Sequence, residues 1–244
     1  MNNKNILIAL TPEIREEGLL NFMATYLYGD NIRLVLCIID GENESPQIDG
    51  LLDRISLFCE QQDIDVKIRH LVKNMYEELE NLTAYSDLLI INKKALRHLR
   101  LSGDLEEVSC AMMVLPEDFV IIKNALFFMD GSKEATAAIK QFAQTFSSRL
   151  SDLDITIISS QHDAQYEKML NGESLLLDYL KQYAQNIGIL KVRGPLTDRL
   201  LKPIEYSDRT LVIGSNRFLL SQYGEHSSFK PFFDESSSIF LPAD

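Results

Sequence analysis

A chain of 244 residues is long for one small domain and about right for two of average size, and an apolar share of 45% supports a sizeable core without disulfide or metal staples. With 36 acidic against 24 basic residues the net charge is −12, which argues against nucleic-acid or anionic-membrane binding, because both need basic surface. Cys37, Cys59 and Cys110 form no CxxC pair and stand in apolar runs, so they read as reduced core residues of a cytoplasmic protein. The segment MNNKNILIALTPE has too short an apolar run for a signal peptide, and no run reaches the roughly 18 apolar residues of a membrane span.

In chain order, Ile6–Leu10 is a continuous apolar run, the pattern of a strand buried on both faces. Thr11 then offers an N-cap oxygen and Pro12 a pre-set first turn, with Leu19, Leu20, Met23, Tyr26 and Leu27 at helical spacing and Gly29 as a stop. Ile32–Ile39 predicts a second strand. Ile48, Leu51, Leu52, Ile55, Phe58 and Cys59 predict a helix, and Ile64–Leu71 a third strand. Val72, Met75, Leu79 and Leu82 mark a helix, Asp87–Ile91 a strand, Ala95–Leu101 a short basic helix and Cys110–Leu115 a further strand. The order then restarts. Ala125–Met129 is a strand, and Ser132 caps a helix with the stripe Ala135, Ala138, Ile139, Phe142, Ala143 and Phe146. Ile155–Ile158 is a strand and Gln161–Lys168 a polar loop. Leu176, Tyr179, Leu180, Tyr183, Ala184 and Ile187 form a helix ended by Gly188, and Ile189–Val192 is a strand. Leu196–Ile204 is a short helix bent at Pro203, and Arg209–Ile213 and Ile239–Leu241 are the last strands.

Strands alternating with helices of this length predict parallel strands joined by crossovers, a doubly wound (Rossmann-like) α/β sheet. Residue matches support one unit written twice. Lys67-Ile68-Arg69 answers Lys191-Val192-Arg193, Tyr85-Ser86-Asp87 answers Tyr206-Ser207-Asp208, and Leu115-Pro116-Glu117-Asp118 answers Leu241-Pro242-Ala243-Asp244. The predicted organisation is therefore two tandem domains, 1–119 and 120–244, packed as an intramolecular pseudo-dimer.

In an open parallel sheet a ligand binds beyond the carboxyl ends of the strands, where strand order reverses. One candidate there is Asp130-Gly131-Ser132: the acid can accept from a base or ribose, the glycine admits close backbone approach, and a helix start favours an anion. The same residues also read as a plain helix cap. A second candidate is Gly214-Ser215 with Arg217, then Ser227-Ser228, a phosphate-cradle arrangement that reads equally as an ordinary strand-to-helix turn. His70, His98, His162 and His226 fit no metal spacing, and no nucleophile is paired with a base, so neither a metal site nor catalytic residues are expected.

The repeated strand starts, the DGSKEA segment from Asp130, the pair of Tyr-Ser-Asp triplets and Leu211-Val212-Ile213-Gly214 together resemble the universal stress protein family in a tandem two-domain form, over essentially the whole chain. In that family's nucleotide-binding branch the acid after the first strand looks toward adenine, and the phosphate loop reads G-x2-G-x9-G-[S/T]. The resemblance therefore implies a nucleotide site at Asp130, Gly214 and Ser228. Arg217 and Ser227 stand where the second and third glycines belong. In the first half Thr11 replaces the acid and Asn92-Lys93-Lys94-Ala95 has no glycine, so no nucleotide is expected there. The resemblance implies a cytoplasmic, non-enzymatic regulatory or stress-response protein without strong ATP binding. Alternatives are an ATP-binding member using the second pocket and, third, a nucleotide hydrolase or other flavodoxin-like enzyme. Implied partners are the other domain, with Ala111–Val114 packed near Ile239–Leu241, a second chain, or other proteins.

Overall fold

A strand that is apolar at every position has no face to give to water, so it must be covered on both sides. In the computed structural model Lys4–Leu10 is such a strand, β1, buried from Ile6 onward. The structure describes residues 4–11, 15–27, 32–39, 46–71, 75–96, 108–129, 132–161, 166–193, 210–214 and 238–243. The chain divides into two compact units, Met1–Ile121 with Ala243–Asp244, and Ile122–Pro242.

In the first unit β1 is followed by α1 (Glu16–Phe22), whose last turn widens into a π-helical segment, Met23–Leu27. Then come β2 (Ile32–Ile39), α2 (Pro46–Gln61), β3 (Asp65–Leu71), α3 (Met75–Thr83), β4 (Leu88–Asn92) and β5 (Ala111–Leu115). The strand order is β3-β2-β1-β4-β5, with every described pairing in the unit parallel. The second unit holds β6 (Asn124–Met129), α4 (Lys133–Thr145), β7 (Asp154–Gln161), α5 (Tyr166–Leu180), β8 (Ile187–Arg193), β9 (Thr210–Ile213) and β10 (Ser238–Leu241). Its order is β8-β7-β6-β9-β10, again parallel throughout. The expected doubly wound α/β sheet is therefore present, and the same winding occurs twice. In each unit the order reverses beside the first strand, between β1 and β4 and between β6 and β9.

The element order repeats more faithfully than the residue matches. Leu10 lies beside Ile38 and Ile38 beside His70, whereas Met129 lies beside Ser159 and Ser159 beside Lys191. With Asn5 and Asn124 set level as strand starts, Lys191 stands in the row of His70, not of Lys67. The two Lys-hydrophobic-Arg triplets are thus similar strand chemistry at different heights.

Apolar packing holds each unit. In the first, Phe22 stacks on Tyr26 and meets Phe119 edge-on, with centroids 5.1 and 5.2 Å apart. In the second, Phe142 packs edge-on against Phe127 at 5.8 Å and Phe240 at 5.2 Å. Each such burial contributes about 1.5–3 kcal/mol. Exposed ion pairs such as Arg33–Asp65 contribute about 0–1 kcal/mol, so the rings and strand residues decide stability. Cys37, Cys59 and Cys110 are unbridged and buried.

Helix starts and ends differ from expectation at three places. Thr11 is not a helix cap: α1 begins at Glu16 after an extended Arg15, and the Thr11 hydroxyl is engaged elsewhere. The polar segment after β7 is shorter than expected, because α5 already runs from Tyr166. That helix ends at Leu180, and Ile187 and Gly188 are part of β8, where sheet pairing with Ile155 and Thr156 overrides helical spacing. The expected helix Leu196–Ile204 lies outside the described residues.

Candidate functional site

The crevice of a doubly wound unit lies where its first and fourth strands diverge. In the first unit those strand ends are Thr11, just past β1, and Asn92, the last residue of β4. Both are buried, at 4% and 0% exposure. The Thr11 backbone N–H donates to Asn92 Oδ1 at 3.2 Å, and Asn92 Nδ2 donates to Thr11 Oγ1 at 2.9 Å. This exchange satisfies the strand-end donor, the hydroxyl oxygen and both ends of the carboxamide. Lys93, next in the chain, is also buried. Glu117, just beyond β5, ties the neighbouring segments: its Oε1 accepts from the Lys94 backbone N–H at 3.0 Å and its carbonyl from the Arg15 N–H at 3.3 Å. The mouth of the first unit is laced by its own polar groups, an arrangement that holds strands together.

In the second unit β6 ends at Met129 and β9 at Ile213. Ser132 is extended, with φ −74° and ψ 156°, and its Oγ accepts from the Ala135 N–H at 3.0 Å. It is therefore the N-cap of α4, and the plain-cap reading of Ser132 describes its geometry. Gly214 follows β9 directly and is buried. Asp130, Gly131, Ser215, Arg217, Ser227 and Ser228 lie outside the described residues. Among the described residues no group of three or more His, Cys, Asp or Glu is placed to hold a metal ion, and no helix is long and apolar enough to cross a membrane.

A polar cluster that the sequence analysis passed over lies beside β6. Ser159 on β7 is level with Met129 on one side and Lys191 of β8 on the other. Glu173 reaches this row from α5. Ser159 Oγ donates to Glu173 Oε1, and Lys191 Nζ donates to Glu173 Oε2 at 2.8 Å. Ser159 is 0% and Glu173 5% exposed, so the carboxylate is held by a hydroxyl and an ammonium in place of water. A signal was present: Glu173 sits three residues before Leu176 and seven before Leu180 on the buried stripe of α5, and an acid on a buried stripe needs a partner. The first unit has a looser relative, Arg69 to Glu78 at 2.8 Å, with Arg69 level with Cys37. Burial pushes the Cys37 thiol up to about 12, against the pull of Arg69 and with the push of Glu78, so it is a protonated core group.

No protein-family model matches the chain, and no curated protein matches it in sequence. Solved structures match its fold. A universal stress protein from Archaeoglobus fulgidus DSM 4304 superposes with a TM-score of 0.64 at 12% identity, covering 98% of this chain and 97% of its own. The cytoplasmic domain of a prokaryotic cation chloride cotransporter superposes with a TM-score of 0.61 at 13% identity, covering 100% of this chain and 96% of its own. At these identities the likeness concerns the fold.

Proposed function

We propose that this chain is a cytoplasmic regulatory protein of the universal stress type, non-enzymatic, whose first unit is a closed scaffold and which lacks strong ATP binding. The observation that carries the reading is the Thr11–Asn92 exchange, which fills the strand-order reversal of the first unit with the chain's own donors and acceptors. A ligand entering there would have to break two buried hydrogen bonds and replace each. The sequence of the second unit supports the same reading, since Arg217 and Ser227 replace two glycines of the family's phosphate loop, and a side chain hinders phosphate from touching the backbone.

Calorimetry of the full chain with ATP and Mg²⁺ tests this. The expected outcome is no saturable heat in the micromolar range. Micromolar binding abolished by Asp130→Ala would instead establish the ATP-binding alternative, with Asp130, Gly214, Arg217 and Ser228 as its groups. ATP turnover above background in purified protein would overturn the non-enzymatic reading.

A further inference from the structure

β8 forms the outer edge of the second unit's sheet: its described pairing is with β7, on its inner side. Edge strands expose unpaired backbone groups, and chains usually guard them with charge. The corresponding edge of the first unit is guarded, since β3 carries Asp65, Lys67 and Arg69 at alternate positions. β8 is not guarded in this way. From Ile187 to Leu190 it carries no charge, and Ile189 and Leu190 are 37% and 39% exposed. Its charges, Lys191 and Arg193, stand only at its end, and Lys191 is paired with Glu173 at 2.8 Å as Arg69 of β3 is with Glu78, so the two edges differ in the charge-free run Ile187–Leu190. β5 and β10, at the opposite end of each unit's strand order, are buried along their whole length.

We propose that the outer edge of β8 is the pairing surface for a second copy of this chain, joined edge to edge as an antiparallel strand pair. Three observations select a second copy. First, of the two described outer edge strands, β8 alone has a run of four residues without charge, whereas β3 carries a charge at every second position from Asp65 to Arg69. A single self-complementary edge closes on one partner, whereas two would propagate a fibre. Second, the strand matches its own reverse: antiparallel pairing about Leu190 sets Leu190 against itself and Gly188 against Val192, leaving one face of the joint wholly apolar. Third, among the described residues nothing crowds Gly188. A Cβ there would have the Ile155 carbonyl oxygen, at 3.9 Å, as its nearest described neighbour. Glycine weakens a strand interior, and its presence there fits close approach of another chain.

Sedimentation equilibrium of the full chain and of Leu190→Lys tests the proposal. The wild type is expected at twice the 27.8 kDa chain mass and Leu190→Lys at the single mass. In parallel, hydrogen exchange of the wild type is expected to speed up across Ile187–Arg193 on dilution, and this measurement stands alone should the variant fail to fold. A wild type that is monomeric at its highest soluble concentration overturns the proposal. So does a dimer unchanged by Leu190→Lys, or one whose dilution-sensitive amides lie outside β8.

Discussion

Thr11 and Asn92 are 81 residues apart, and each meets hydrogen-bonding capacity that the other would otherwise leave buried and unmet. Removing one partner therefore costs more than the bond itself. Asn92→Ala is expected to lower unfolding free energy by about 1–3 kcal/mol. In a double-mutant cycle with Thr11→Val the coupling is expected near 1 kcal/mol, read from urea unfolding. A coupling of zero would show that the exchange does not lock the mouth of the first unit. Ser132 behaves differently because its partner is local. A hydroxyl three residues before a helical stripe is enough to read a cap from sequence, and the Ser132–Ala135 bond is that cap. Thr11 carries the same local signal, but its oxygen accepts from Asn92 in a distant strand.

At the scale of elements, α4 was fully legible. Ala135, Ala138, Ile139, Phe142 and Ala143 are its buried residues, and each was spaced for one face. α1 shows what periodicity misses. Gly18 lies within it, where propensity alone favours alanine by about 1 kcal/mol. A Cβ at Gly18 would stand 3.1 Å from both the backbone N and O of Phe119 and 3.3 Å from its Cβ. Backbone cannot swing away as a side chain can, and overpacking costs about 1–3 kcal/mol. Gly18→Ala is therefore expected to lower the thermal midpoint despite its better helix propensity, and a raised midpoint would contradict this close approach. The strand ends were the least legible boundaries. Ile187 fits both the helical stripe before it and the strand after it, and pairing with Ile155 places it in β8.

At the scale of the whole molecule, the two units share a winding but not a chemistry. All three cysteines lie in the first unit. Burial raises Cys37 from its ordinary value near 9 to about 12, and Cys59 and Cys110 to about 11. The unfolded chain then ionises these thiols at lower pH than the folded one. Their contribution is fully present below about pH 9 and is lost as pH rises toward 11–12, by up to about 1.4 kcal/mol per pH unit for each thiol. The first unit is expected to weaken over that window through a cause the second lacks, and folded protein at neutral pH is expected to resist thiol reagents until it unfolds. Rapid labelling of the folded chain would overturn this.

The sequence by itself determined what depends on neighbours along the chain: apolar runs too short for anything but buried strands, helical stripes between them, and hence a doubly wound sheet encountered twice. Those signals are local because strand and helix periodicities repeat within a few residues. Only the tertiary structure decided which polar groups face one another. It set Asn92 against Thr11, Glu173 between Ser159 and Lys191, and Glu117 against Lys94. It also set the charge-free run Ile187–Leu190 of β8 at the outer end of its unit's strand order. A side-chain hydrogen bond has a reach of about 3 Å and no period along the chain, so its partner becomes visible only once the sheet has brought distant strand ends together.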